Sequence, residues 1–187
     1  MVTHLVSQSR SRLQKIYEWV LIGIAITVAL LAAFNVQDAR AESILEQMER
    51  SNDATKCVTI VYAYAQGMWF YGEGYDAVED FPLPETVEPN SEDSAFFLGL
   101  AKAGWTTMKG HLETAHQADL DNAKGTDWEG KVTFNRVQGS IISKSVAAEL
   151  GKMCNAGGGW AVVKALPNMD PVTEAVARHF LAPGASI

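Results

Sequence analysis

One uninterrupted apolar run comes before any periodic pattern: within residues 19–34 only Thr27 carries a polar side chain. A helix of that length spans about 24 Å, short for a bilayer core that takes about 20 residues to cross. It is slightly longer than the apolar core of a signal peptide, about 7–15 residues. Arg10, Arg12 and Lys15 precede it with only Glu18 against them, which predicts a cytoplasmic amino terminus. Ala39 and Ala41 bracket Arg40 in the small-x-small cleavage pattern, after a spacer at residues 35–38. These flanks predict a signal peptide over residues 1–41, cleaved near Ala41. The alternative is a signal anchor in the inner membrane, which the long polar leader ahead of residue 19 fits better. Either way, residues 42–187 are predicted to form a single exported globular domain, periplasmic or secreted after cleavage and otherwise facing outward from the membrane.

Downstream the rhythm becomes helical. Ser43 and Glu46 have capping-box spacing for a short first helix, and residues 51–53 offer a second start. From 57 to 71 the only polar side chains apart from the tyrosines are Thr59 and Gln66, which predicts a helix buried on nearly all sides. The same stretch is rich in β-branched and aromatic residues and also admits a strand. Residues 72–93 read as a proline-containing acidic loop, mobile and solvated. From 94 to 122, Phe97, Leu100, Ala101, Gly104, Met108, Leu112 and Ala115 recur at helical spacing. Thr126 and Glu129 suggest another capping pair before residues 131–137, which alternate like a strand. Ile142, Val146, Leu150 and Met153 mark a further helical face, which the glycines at 157–159 are expected to stop. Asp170 followed by Pro171 starts a last helix with Val172, Ala175, Val176, His179 and Phe180 on its apolar face.

The fold class that follows is all-α: a small bundle of about four helices stapled by one disulfide. An α+β fold with short strands near 57–64 and 131–137 is the alternative. The two cysteines, Cys57 and Cys154, both lie in the exported part and form no CxxC, so an oxidising compartment favours a bridge over zinc or dithiol chemistry. It would tie the first buried helix to the carboxyl end of the third.

Charge narrows the partners. Residues 42–187 hold 20 acidic and 11 basic side chains, a net of −9. That argues against nucleic acid and against an anionic membrane surface, leaving membrane contact only through residues 19–34 if they are retained.

Candidate chemistry is thin. Glu113, His116 and Asp119 stand three apart, placing one imidazole between two carboxylates, a constellation that would suit a hydrolase. His111 and His116 are five apart, which is not the HExxH spacing of a metal pair. Asp119, Asp121 and Asp127 with Gly125 fail the register of a calcium loop. Without CxxCH or a phosphate-binding signature, no cofactor or metal is predicted. The aromatics Trp69, Phe70, Tyr71 and Tyr75, beside the acidic loop, are the candidate binding residues for a protein, peptide or amphipathic ligand. The leading expectation is therefore an exported binding protein. An envelope hydrolase using His116, or an anchored accessory subunit of an envelope complex, are the alternatives.

Overall fold

The computed structural model describes residues 43–183, so the apolar run 19–34 and the cleavage pattern near Ala41 lie outside the described residues. Helix α1 (Ile44–Arg50) opens on Ser43, whose hydroxyl accepts from the Glu46 amide while the Glu46 carboxylate takes the Ser43 amide. Seven residues cannot hold a helix unaided. Further support comes from Asp93, buried at 6 % exposure, which accepts from the Ile44 and Leu45 amides at 2.7 and 3.1 Å. A carboxylate at a helix amino terminus meets both the unpaired N–H groups and the positive end of the dipole.

Helix α2 (Asp53–Glu73) starts on Asn52, which accepts from the Thr55 amide at 2.9 Å. It ends on Gly74, held left-handed at φ 100°, with the Gly74 amide on the Tyr71 carbonyl and the Tyr75 amide on that of Phe70. This is the Schellman arrangement, completed by its apolar contact: the Phe70 and Tyr75 rings meet edge-on at 5.3 Å. Caps at both ends make residues 57–64 helix rather than strand.

Helix α3 (Glu92–Ala123) begins on Ser91, which accepts from the Ser94 amide, and crosses α2 closely, Gly67 against Ala101 and Gly104 against Tyr64. Through Leu112 it buries Phe96, Phe97, Leu100, Ala101, Gly104, Met108 and Leu112. Beyond Leu112 most of its side chains are exposed, Ala115 among them although expected on the apolar face, and Ala123 is buried at the end. Thr126 and Glu129 cap no helix; they accept from the Trp128 and Gly125 amides within a run of turns. Residues 131–137 form no strand, and none occurs among the described residues. The mixed α+β alternative is thereby overturned.

Helix α4 (Gln138–Met153) lies antiparallel to α2, meeting it from Gly72 against Ser140 to Cys57 against Cys154. Ile142, Val146 and Leu150 pack on the core, but Met153 turns out to solvent. The glycines end this helix as expected, with Gly157 and Gly159 at positive φ. Cys154–Gly158 forms a wide π turn with Gly157 at φ 88°, and α5 (Gly159–Lys164) continues from it, burying Val162 and Val163. Helix α6 (Pro171–Leu181) is capped by Asp170, which accepts from the Val172 and Thr173 amides and the Thr173 hydroxyl. Those bonds outweigh the opposing effect of burial and hold the Asp170 carboxyl below its usual range. The buried residues of α6 are Thr173, Ala177, Phe180 and Leu181; of the expected face Phe180 is buried and Val176 packs on the core, while Ala175 is exposed and Val172 is 74 % exposed. Thr173 takes the inward place because it sits over Gly99 of α3, where no Cβ interferes.

The result is a small all-α bundle, and no helix among the described residues is long and apolar enough to cross a membrane. The expected disulfide joins Cys57, early in α2, to Cys154 at the end of α4, with 5.5 Å between Cα atoms and no exposure of either residue. Closing a loop of 97 residues contributes about 4–5 kcal/mol in the chain-entropy model.

The three long helices approach at backbone distance. A Cβ on Gly67 would stand 1.7 Å from the Ala101 carbonyl oxygen, and one on Gly104 1.8 Å from that of Tyr64. Nearer the end of α2, a Cβ on Gly72 would stand 2.3 Å from the Ser140 amide nitrogen. Since the obstacle is backbone, no rotamer change relieves it. Gly67→Ala is expected to cost about 3 kcal/mol and lower the melting temperature by about 10 °C. Gly110→Ala, on the exposed part of α3 with open space around it, is expected to stabilise by about 0.5–1 kcal/mol. Thermal unfolding of the pair checks this; equal melting points would refute the close seam.

Candidate functional site

Helix α2 is covered on three sides and open on the fourth. Its open face carries Val58, Thr59, Tyr62, Gln66 and Trp69, which recur at helical spacing. Beside this face runs a cleft of about 660 Å³. Phe96, Phe97 and Leu100 of α3 form its floor with Phe70, residues 82–84 its far wall, and Ile44 one end. Such a volume falls within the 300–1,000 Å³ range of ligand pockets, and the lining is apolar and aromatic as those pockets are. Across the ridge made by Tyr62, Gln66 and Trp69 lies a smaller groove of about 440 Å³, whose opposite bank is Ser143, Lys144, Ala147 and Ala148 of α4.

The wall at 82–84 belongs to the acidic segment expected to be a mobile, solvated loop; it is a loop over most of its length, but two of its apolar side chains are buried. Phe81 is buried against Phe70 at 4.7 Å, Val87 is buried as well, and Val78 to Asp80 form a 3₁₀ turn. Apolar side chains spaced among the acids pin the segment to α2 and α3. The acids divide accordingly. Asp93 caps α1, Asp76 pairs with Arg136 at 2.5 Å, and Glu73 accepts from the Ser140 hydroxyl at 2.7 Å. Glu79, Asp80, Glu85, Glu88 and Glu92 are exposed.

The four candidate aromatics part company. Trp69 lines both grooves, and Phe70 forms the back of the larger one. Tyr71 is turned into the core on the other side, between the Arg136 guanidinium, 4.2 Å above its ring, and Trp105, edge-on at 5.5 Å. Burial pushes its phenol up, and the Arg136 cation partly opposes this. Tyr75 packs edge-on against Phe70 and Phe81 while its carbonyl accepts from the Trp105 indole at 2.8 Å. Tyr62, 63 % exposed, lines both grooves, and Phe96 and Phe97 of α3 are the cleft aromatics outside the candidate set. Thr59 and Gln66, the two polar interruptions of the segment, mark the outward face on which Tyr62 and Trp69 also fall.

Glu113, His116 and Asp119 lie on the part of α3 beyond Leu112. The His116 ring meets Phe134 edge-on at 5.2 Å, Glu113 pairs with Lys109 at 4.0 Å, and Asp119 is exposed. No hydrogen bond joins His116 to either carboxylate among the described residues. Nor is there any group of three or more His, Cys, Asp or Glu there that could hold a metal. A different histidine does meet a carboxylate: His179 Nε2 lies 3.0 Å from Glu49 Oε1, beside a cleft of about 730 Å³ between α1, α3 and α6.

Arg136, which the sequence pattern did not mark, locks the end of the site. It donates from Nε to the Tyr71 carbonyl and from a terminal nitrogen to that of Tyr75, while its other terminal nitrogen holds Asp76. A cation over the last carbonyls of α2 complements the negative end of its dipole. Arg136→Met is expected to cost about 1–3 kcal/mol and to speed amide exchange at residues 74–80. Arg136→Lys should recover only part of this, because an ammonium cannot reproduce the fork. Unchanged exchange in the methionine variant would show that the latch has no role.

No protein-family model matches the chain, and neither a curated protein nor a solved structure matches it.

Proposed function

We propose that this chain is an exported binding protein that accepts an apolar portion of a partner or ligand in the cleft along the open face of α2. The carrying observation is that face itself. Tyr62, Trp69, Phe70, Phe96 and Phe97 converge on one solvent-open concavity held between three fixed helices and a pinned wall. Aromatic side chains give large contact area at small entropic cost and dominate binding hot spots. The supports for export are the cationic leader, the apolar run and the small-x-small pattern ahead of Glu42, together with a disulfide between buried cysteines.

Two measurements test the reading. The uncharged apolar dye N-phenylnaphthylamine should bind saturably with enhanced emission. Tyr62→Ala and Trp69→Ala should each weaken it at least about fivefold, the loss of one good aromatic contact. Tyr62 is mostly exposed, so its variant should fold normally by circular dichroism. Binding that ignores both substitutions would remove the cleft from consideration.

Intact mass of the protein isolated from its native host, without reductant, should correspond to a chain beginning at Glu42 and lacking two hydrogens at its cysteines. A mass including residues 1–41 would instead favour the anchored form, and free thiols would contradict export.

A further inference from the structure

Resting on that reading, we infer that the occupant of the α2 cleft is a cationic amphipathic helix of about three turns, carried by a partner polypeptide. Length comes first. The lining runs along α2 from Val58 to Phe70, about 18 Å at 1.5 Å per residue. An open apolar trough of that length matches the apolar stripe of a short helix, whose anchors recur at three and four residues.

Charge then selects among amphiphiles. No Lys, Arg or His lines this cleft. Its far wall at 82–84 is flanked along the chain by Asp80 and Glu85, and the segment 72–93 contains eight carboxylates and no base. Three of the eight are occupied within the fold, as described above. Of the rest, Asp80, Glu85 and Glu88 stand exposed within four residues of the wall along the chain, outside the cleft lining, and no ion pair engages them among the described residues. A fatty acid or an acidic peptide would bring its own negative charge to this rim without a counter-charge. A helix with Lys or Arg beside its apolar stripe would find carboxylates along one edge, an arrangement that steers association and fixes orientation. The nearest groove-lining cation, Lys144, lies across the Tyr62–Trp69 ridge in the smaller groove, so it leaves the rim at 80–88 acidic.

The experiment uses two labelled fourteen-residue peptides with the same leucine stripe, one completed with Lys and the other with Glu, titrated into the purified protein by fluorescence anisotropy. The Lys peptide is expected to bind at least about tenfold more tightly than the Glu peptide and to weaken severalfold as salt rises. Tyr62→Ala and Trp69→Ala should each weaken it at least about fivefold. Joint Asp80→Asn, Glu85→Gln and Glu88→Gln substitution should reduce the Lys-to-Glu preference severalfold while leaving N-phenylnaphthylamine binding unchanged. Equal binding of both peptides, or tighter binding of the Glu peptide, overturns the cationic occupant while an aromatic-dependent dye signal keeps the cleft reading. Lys-peptide binding unaffected by either aromatic substitution overturns the inference as attraction to the acidic surface alone. Dye binding but no peptide binding overturns the helical occupant, and failure of the dye as well overturns the cleft reading on which it stands.

Discussion

The fold depends on how closely α2 is gripped. Its backbone meets that of α3 through Gly67 and Gly104, and that of α4 through Gly72 against Gly139 and Ser140. At such crossings nothing larger than hydrogen fits, so the large side chains are displaced to the sides of each seam. The aromatics of α2 therefore cannot all enter one core. Tyr64 goes inward, its hydroxyl donating to Thr107 at 2.7 Å, and Tyr71 goes toward Trp105 and Arg136. Tyr62 and Trp69 are left facing out. The cleft is a consequence of the grip: three fixed helices with no fourth across the open side.

Both ends of α2 are fastened by long-range links. The disulfide holds its beginning to the end of α4, and Arg136 spans its final carbonyls. A binding face fixed in this way loses little conformational entropy when it is filled, which is where preorganised sites gain affinity over flexible ones. The wall at 82–84 shares in this, because Phe81 anchors it to Phe70 through the same aromatic cluster that seals the Schellman turn.

Much of this was legible because the signals were local. Ser43, Asn52 and Asp170 cap helices where their spacing predicted, and the two cysteines pair across the predicted helices. What stayed hidden was carried by side chains reaching a backbone far away in sequence. Asp93 closes the start of α1 from 48 and 49 residues away, and Arg136 closes the end of α2 from 61 and 65. Both look like ordinary surface charge in a linear reading. In residues 72–93 eight carboxylates dominate the composition, whereas Phe81 and Val87 are the side chains that reach the interior. On α6 the expected face held at Val176 and Phe180 but is rotated at its start, where Thr173, polar in isolation, is satisfied by Asp170 and fits over Gly99 while Val172 turns out. In the cleft, Trp69 and Phe70 were found by type, and Tyr62 shares the outward face that Thr59 and Gln66 mark, while Phe96 and Phe97 reach the cleft from α3.

Stability and site are coupled through Cys57. This residue immediately precedes Val58 and Thr59, which line the cleft, and it is held in place by a bridge contributing about 4–5 kcal/mol. A domain of this size is stable by only about 5–15 kcal/mol in total, so reducing the bridge removes a large fraction of the whole. The bridge brings Cys154 and α5 against the start of α2, where Val162 and Val163 share the core with Ile60 and Val61. The same oxidation that stabilises the bundle therefore also orders one end of the cleft. An oxidising compartment would supply both at once.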